Sequence, residues 1–112
     1  MQLDLRRVII FTADVAKLAA FYRDVIGLKI AGQEPGWIDI AAGACNIALH
    51  TGKPSPGNWP PKLVFYAADV AAARAALMKR GVKFGPIKST KTFDMCDARD
   101  PDGNKIGLSS RK

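Results

Sequence analysis

The chain has 112 residues, 48% of them apolar and 24% charged, a composition typical of one compact globular domain. It contains no run of about 18 apolar residues, so the sequence excludes a membrane-spanning helix. The net charge of +7, from 17 Lys and Arg against 10 Asp and Glu, favours anionic partners, but the basic residues are dispersed and match no nucleic-acid-binding module, so nucleic acid is not the expected partner.

The first half of the chain is predicted to form a strand, a helix and three further strands. The apolar, β-branched run Arg7–Thr12 indicates a strand buried on both faces. Asp14 is a good N-cap for the helix that follows, and Gly27 ends it. Turn signals then separate short strands at residues 28–31, 37–41 and 45–50. This β-α-β-β-β unit, residues 5–51, is module one.

Residues 52–61 form a predicted irregular crossover, because four prolines and two glycines in that stretch oppose regular structure. Beyond it the plan repeats: Ala-Asp-Val-Ala at residues 13–16 returns 55 residues later at 68–71, with Asp69 as the second cap and Gly81 as the second stop. Strands are predicted at residues 62–67, at 82–87 with an interruption at Gly85-Pro86, and at 92–99 and 105–109, the last two joined as a hairpin by the turn Asp-Pro-Asp-Gly-Asn. This second copy, residues 62–110, is module two, and the repeat indicates one supersecondary unit used twice.

The two cysteines, Cys45 and Cys96, form no motif and fall in predicted strands. We expect both to be small buried thiols in a reducing compartment. The N-terminus lacks the basic-then-apolar order of a secretory signal, which favours the cytoplasm. Asp94 and Asp97 beside Cys96 would raise the pKa of its thiol, and no serine lies in a glycine-flanked elbow. Nucleophilic catalysis therefore has little support.

Two motifs resemble those of the vicinal oxygen chelate superfamily, which includes glyoxalase I, extradiol dioxygenases and bleomycin-resistance proteins. FYRDVIGL at residues 21–28 resembles the segment FYRDVLGL of that family, and DPDGN at residues 100–104 resembles the hairpin before its last strand. The resemblance covers nearly the whole chain. It implies an α+β fold in which two pseudo-symmetric β-α-β-β-β modules form a curved mixed sheet around a cleft, and it implies a homodimer.

Enzymes of this superfamily usually take His, Gln or Glu metal ligands from the first and last strand of each module. By position, the resemblance assigns the first-strand ligands to Arg7 and Lys62. The last-strand ligands fall on Gly107 and on Ala48, or on His50 if the register slips by one step along the same face. Protonated Arg and Lys cannot bind a divalent cation. We therefore expect no metal and no cofactor.

Six residues are candidate ligand contacts: Arg7, Trp37, Asp39, His50, Trp59 and Lys62. The cations would hold an anionic group of a small molecule, with nearby acids such as Asp39 and Asp97 compensating their charge; alternatively, both side chains extend to water from the starts of strands. The tryptophans would form platforms for a planar ligand, or pack in the core or at an interface. The histidine would contact the ligand or act as a base, or be an ordinary surface residue.

Three functions remain open from the sequence, and it does not decide whether the chain is an enzyme. The first is a metal-independent small-molecule-binding protein of the glyoxalase/bleomycin-resistance type that sequesters a drug or metabolite. The second is a glyoxalase-like lyase, isomerase or dioxygenase with a divalent metal. The third is a partner-binding or regulatory module that uses the scaffold alone.

Overall fold

The structure, a computed structural model, describes residues 1–2, 5–55 and 61–112. The strands are β1 Arg7–Thr12, β2 Lys29–Glu34, β3 Trp37–Ala41, β4 Asn46–Thr51, β5 Leu63–Tyr66, β6 Lys88–Ser89, β7 Asp94–Arg99 and β8 Lys105–Ser109. The helices are α1 Val15–Ala20, which continues into a π-helical segment Phe21–Ile26, and α2 Val70–Lys79. The chain divides into two compact units, Met1–Ser55 and Pro56–Lys112.

Each unit contains one four-stranded mixed sheet with the same strand order. The orders are β1-β4-β3-β2 and β5-β8-β7-β6. In each sheet the first strand runs parallel to the last, and the remaining pairs are antiparallel. The α+β fold of two β-α-β-β-β modules, predicted from the repeat and the resemblance, is therefore confirmed. Within the described residues, no helix is both long and apolar enough to cross a membrane.

The repeated Ala-Asp-Val-Ala starts both helices. The carboxylate of Asp14 accepts a hydrogen bond from the amide of Lys17 at 3.0 Å, and that of Asp69 accepts one from the amide of Ala72 at 2.9 Å. These bonds satisfy amide groups that the first turn of a helix leaves without a partner. The helical segment in module one ends at Gly27 with φ of 92°, which favours glycine. Both predicted caps are confirmed.

Each helix covers one face of the sheet in its own module. In module one the buried face consists of Ile38, Ile40, Ile47 and Leu49, with Leu18 and Tyr22 from the helical segment. In module two it consists of Cys96, Ala98, Ile106 and Leu108, with Val70 and Leu77 from α2. The helices contact the two central strands, β3 and β4 or β7 and β8. The side chains that alternate with these point to the opposite face of each sheet.

Several elements differ from the prediction. The strand predicted at residues 28–31 is β2, Lys29–Glu34, which ends three residues later than expected. The predicted strand at residues 82–87 is wrong, since this segment is irregular and only Lys88–Ser89 pairs as a strand. Pro86 has no amide hydrogen to donate, and the guanidinium of Arg74 binds the carbonyls of Phe84 and Gly85, at 3.4 and 2.9 Å. The segment keeps one backbone bond to β7, from the Gly85 amide to the Asp97 carbonyl at 2.9 Å. The π-helical segment was also not predicted, because helical spacing of apolar residues does not reveal a wider turn.

The two cysteines are free thiols. Cys96 is buried in β7, as expected, whereas Cys45 is only half-buried and lies just before β4. The predicted strand at 45–50 therefore begins and ends one residue later than expected.

Candidate functional site

Each module has a cation at or directly before the start of its first strand, followed by two apolar side chains on the face away from its helix. These residues are Arg7, Ile9 and Phe11 in module one, and Lys62, Val64 and Tyr66 in module two, 55 residues further along. The four apolar side chains are between 47% and 53% exposed. The prediction that the first strand is buried on both faces is therefore wrong, since its apolar residues lie on both faces but only one face is covered.

In module one, the cation pairs with a carboxylate on β3. A guanidinium nitrogen of Arg7, Nη2, lies 3.4 Å from Oδ2 of Asp39, which also accepts a hydrogen bond from Nδ2 of Asn46 at 3.3 Å. The Asp39 side chain is only 14% exposed. Its second oxygen, Oδ1, is buried and has no hydrogen-bond partner among the residues that the structure describes. Asp39 thus has one acceptor atom that is shielded from solvent and has no hydrogen-bond partner among the described residues.

An aromatic cluster of Phe11, Trp37 and His50 adjoins this ion pair. Strand register places His50 opposite both other members, with ring centroids 5.4 Å from Phe11 and 5.9 Å from Trp37. The guanidinium carbon of Arg7 lies 5.9 Å from the Trp37 ring, within cation–π range. Nδ1 of His50 lies 2.7 Å from the Thr51 carbonyl. A carbonyl only accepts, so Nδ1 carries the hydrogen, and Nε2 of the neutral ring is an acceptor.

In module two, Nζ of Lys62 donates to Oδ1 of Asp97 on β7 at 2.8 Å. The Lys62 side chain is 27% exposed and that of Asp97 is 48% exposed. Both cations therefore have the carboxylate partners that the sequence indicated. Burial raises the pKa of the neighbouring Cys96 thiol, opposed by the charge of Arg74 and reinforced by that of Asp97. A thiol held protonated in this way is a poor nucleophile.

The structure thus brings four of the six candidate residues together on one face of module one: Arg7, Trp37, Asp39 and His50. Lys62 lies in module two, and Trp59 falls outside the described residues. Sequence reasoning missed Phe11 as a site residue. Its position two residues beyond Ile9 and four beyond Arg7 on the same strand face was the available signal.

The positions assigned to metal ligands do not fit a divalent metal. Ala48 is completely buried and has no donor. A Cβ at Gly107 would lie 3.0 Å from Oδ1 of Asp97 and 3.3 Å from the Cys96 carbonyl, so the carboxylate of the ion pair fills the space where a ligand side chain would begin. Within residues 1–2, 5–55 and 61–112, no three His, Cys, Asp or Glu side chains are grouped closely enough to hold a metal ion.

Solved structures with the same fold include proteins of several kinds. TnmS3, an antibiotic binding protein from Streptomyces sp. CB03234, is 27% identical with a TM-score of 0.80, covering 96% of this chain and 94% of that one. A glyoxalase/bleomycin resistance protein from the same organism is 28% identical with a TM-score of 0.77, covering 94% and 98%. Lactoylglutathione lyase from Agrobacterium tumefaciens, at 20% identity and a TM-score of 0.76 with 97% and 94% covered, shares the fold.

A search of curated protein sequences found no match. The sequence model of one family, in contrast, matches residues 4–108, nearly the whole chain. The chain belongs to the Glyoxalase/Bleomycin resistance protein/Dioxygenase superfamily.

Proposed function

We propose that the chain binds a small organic molecule non-covalently and without a catalytic metal. The observation that carries this proposal is the pair of cations, Arg7 and Lys62, at the first-strand positions where enzymes of the superfamily hold metal ligands. Each is ion-paired with a carboxylate of its own module. The likeness to an antibiotic binding protein at 27% identity supports the proposal.

The face of module one suits a planar ligand with polar substituents. Phe11, Trp37 and His50 offer aromatic surface on which such a ligand stacks. Arg7 donates hydrogen bonds to a ligand acceptor, and Asp39 holds the guanidinium in place for this contact. Lys62 contacts an anionic group in module two, and Trp59 remains a proposed platform in the crossover.

Fluorescence quenching tests the aromatic part of the site. We would use anthraquinone-2-sulfonate, a planar anion, as the probe, in a Trp59→Phe background where Trp37 is the remaining tryptophan. Saturable quenching is expected, and Arg7→Ala should weaken it about fivefold or more, because a partly desolvated cation–π or charge-assisted contact contributes about 1 kcal/mol. Arg23→Ala is the matched control, since Arg23 is exposed and paired with its neighbour Asp24. Equal affinity in both variants would remove Arg7 from the site.

Metal analysis tests the other half of the proposal. Purified protein should contain far less than one Ni, Zn, Fe or Mn per chain. A stoichiometric metal would overturn the binding-protein proposal in favour of a glyoxalase-like lyase, isomerase or dioxygenase. If no compound in a screen of aromatic antibiotics and metabolites raises the melting temperature by mass action, a partner-binding or regulatory module is the better description.

The proposal includes a homodimer in the reducing cytoplasm. The first and second strands of module one are the outer strands of its sheet, and exposed sheet edges are commonly protected by association. Two free thiols suit a reducing compartment. Light scattering coupled to gel filtration should give twice the mass of one chain, and the mass of a single chain would contradict the dimer.

A further inference from the structure

The positive charge of this protein is concentrated in the second half of the chain. Residues 56–112 contain 11 Lys and Arg against 5 Asp, a net charge of +6, whereas residues 1–55 contain 6 against 5 acidic residues, a net charge of +1. A field of this sign raises the local concentration of anions. The second half of the chain is therefore where an anionic group would be drawn.

A cavity of about 280 Å³ in module two has a lining that matches this charge. It is lined by Lys62, Asp97, Ala98, Arg99 and Lys105. Three cations thus face one carboxylate, for a net lining charge of +2. The volume is at the lower end of the range of ligand pockets, and one small charged group fits within it.

Strand register explains why these cations meet. Arg99 and Lys105 are direct partners across the β7–β8 hairpin, and Lys62 precedes Leu63, which pairs with Ile106, so Lys62 lies level with Lys105. Nη1 of Arg99 donates to the Gly103 carbonyl at 2.7 Å, which fixes the guanidinium near the turn. The hairpin therefore presents its cations in a defined geometry.

Module one provides an internal comparison. Its ion pair occupies the equivalent place, but the cross-strand pair beside it is Ala41 and Asn46, which are neutral. The amide of Asn46 binds the Asp39 carboxylate. In module two the same two positions carry Arg99 and Lys105. Different residues at two equivalent positions thus make this surface neutral in module one and cationic in module two.

We propose that the cavity in module two binds a doubly charged oxyanion of the phosphate type, with Lys62, Arg99 and Lys105 as its contacts. Asp97 acts as an internal counter-ion, which the ligand displaces from Lys62. Its 48% exposure lets the carboxylate turn to water when it is displaced. The inference rests on the proposed function, in which Lys62 contacts an anionic group, and it names the class of anion that module two takes.

Titration of the full ¹⁵N-labelled chain with inorganic phosphate at low ionic strength tests this inference. Saturable shifts are expected at the amides of Asp97, Arg99 and Lys105. Lys105→Ala and Arg99→Ala should each weaken binding at least fivefold, since each removes one charge close to the anion. Asp97→Asn should tighten binding at least threefold, because it removes both a repulsive charge and the competitor for Lys62.

Lys79→Ala is the matched control, because it removes the same charge from α2, which packs on the opposite face of the sheet. It should change affinity less than twofold. Acetate, with one negative charge, should bind at least fivefold more weakly than phosphate. Similar losses in the Lys79 and Lys105 variants, equal binding of acetate, or weaker binding by Asp97→Asn would each overturn the inference.

The two proposals fail separately. The quenching assay reports on Trp37 in module one, and the phosphate titration reports on amides in module two. Quenching by the anthraquinone without phosphate shifts would refute the anion cavity and leave the proposed function standing. Phosphate shifts without any stabilising organic ligand would refute the proposed function and leave the cavity as an anion site.

Discussion

The two ion pairs allow burial and distance to be weighed against each other as determinants of stability. Arg7 and Asp39 are 3.4 Å apart, but the carboxylate side chain is only 14% exposed. Nζ of Lys62 and Oδ1 of Asp97 are closer, at 2.8 Å, but the Asp97 side chain is 48% exposed. We predict that the longer, more buried pair has the larger coupling energy in a double-mutant cycle.

The magnitudes follow from the effective dielectric constant. At 3.4 Å and a dielectric constant near 20, the gross attraction is about 5 kcal/mol, whereas at 2.8 Å and a value near 80 it is about 1.5 kcal/mol. Desolvation and loss of side-chain freedom offset most of either figure. We expect a net coupling of about 1 kcal/mol for Arg7–Asp39 and less than about 0.5 kcal/mol for Lys62–Asp97.

Urea unfolding followed by circular dichroism measures both couplings. One cycle compares Arg7→Met, Asp39→Asn and the double variant with the parent chain, and the second uses Lys62→Met and Asp97→Asn in the same way. Unchanged m-values would show that the unfolding reaction is the same in all variants. A larger coupling for Lys62–Asp97 would refute the reasoning, because distance rather than burial would then dominate.

Three further predictions concern stability. Burial raises the pKa of the Cys96 thiol, so this thiol ionises at lower pH in the unfolded chain than in the folded one. The free energy of unfolding should therefore fall as pH rises above the unfolded thiol's pKa, by at most about 1.4 kcal/mol per pH unit. Cys96→Ala should flatten this slope, measured by urea unfolding between about pH 8 and 10. Asp100→Ala should lower the free energy of thermal unfolding by about 2–3 kcal/mol, because this buried carboxylate accepts hydrogen bonds from the amides of Asp102 and Asn104. Asp14→Ala and Asp69→Ala should each lower the free energy of unfolding, measured in urea, by about 1 kcal/mol, and Ser at either position should restore most of that loss.

Local signals were sufficient to predict most of the fold. The predicted and observed bounds of β1 agree because the apolar run is followed closely by Asp14, which caps the helix. The β7–β8 hairpin was predictable because Asp100 and Gly103 specify the turn: the Asp100 carbonyl accepts from the Gly103 amide at 2.9 Å, and Gly103 has φ of 86°. The irregular backbone of residues 82–87 was not predictable, because it depends on the side chain of Arg74, which binds the carbonyls of Phe84 and Gly85.

The candidate site could be predicted only in part. Which side chains share a sheet face, and which lie opposite each other, depends on pairing between strands that are distant in the sequence. The pairing of Arg7 with Asp39 was anticipated as charge compensation, without the distance or the burial that makes it strong. Phe11 was missed because residues 8–11 are all apolar and give no alternation, so that only the spacing of Phe11 from Arg7 indicates its exposed face. Arg99 and Lys105 flank the predicted turn symmetrically, so their contact followed from the hairpin once its register was known.

Because the chain contains two copies of one module, each position of the module occurs twice. The side chains at equivalent positions differ, and these differences give the two modules different surfaces. The ion pair occurs in both modules, so it cannot account for the difference between the ligands that we propose for them. The difference comes from its surroundings: an aromatic cluster and a nearly buried carboxylate in module one, two additional cations in module two. The Lys62–Asp97 pair in module two is the more exposed and, by the magnitudes above, the weaker. A carboxylate held by less than about 0.5 kcal/mol is one that a doubly charged anion displaces readily, whereas Asp39, held by both a guanidinium and an amide, stays in place. Under the two proposals, a stable ion pair suits module one and an easily displaced ion pair suits module two, and their difference in burial provides both.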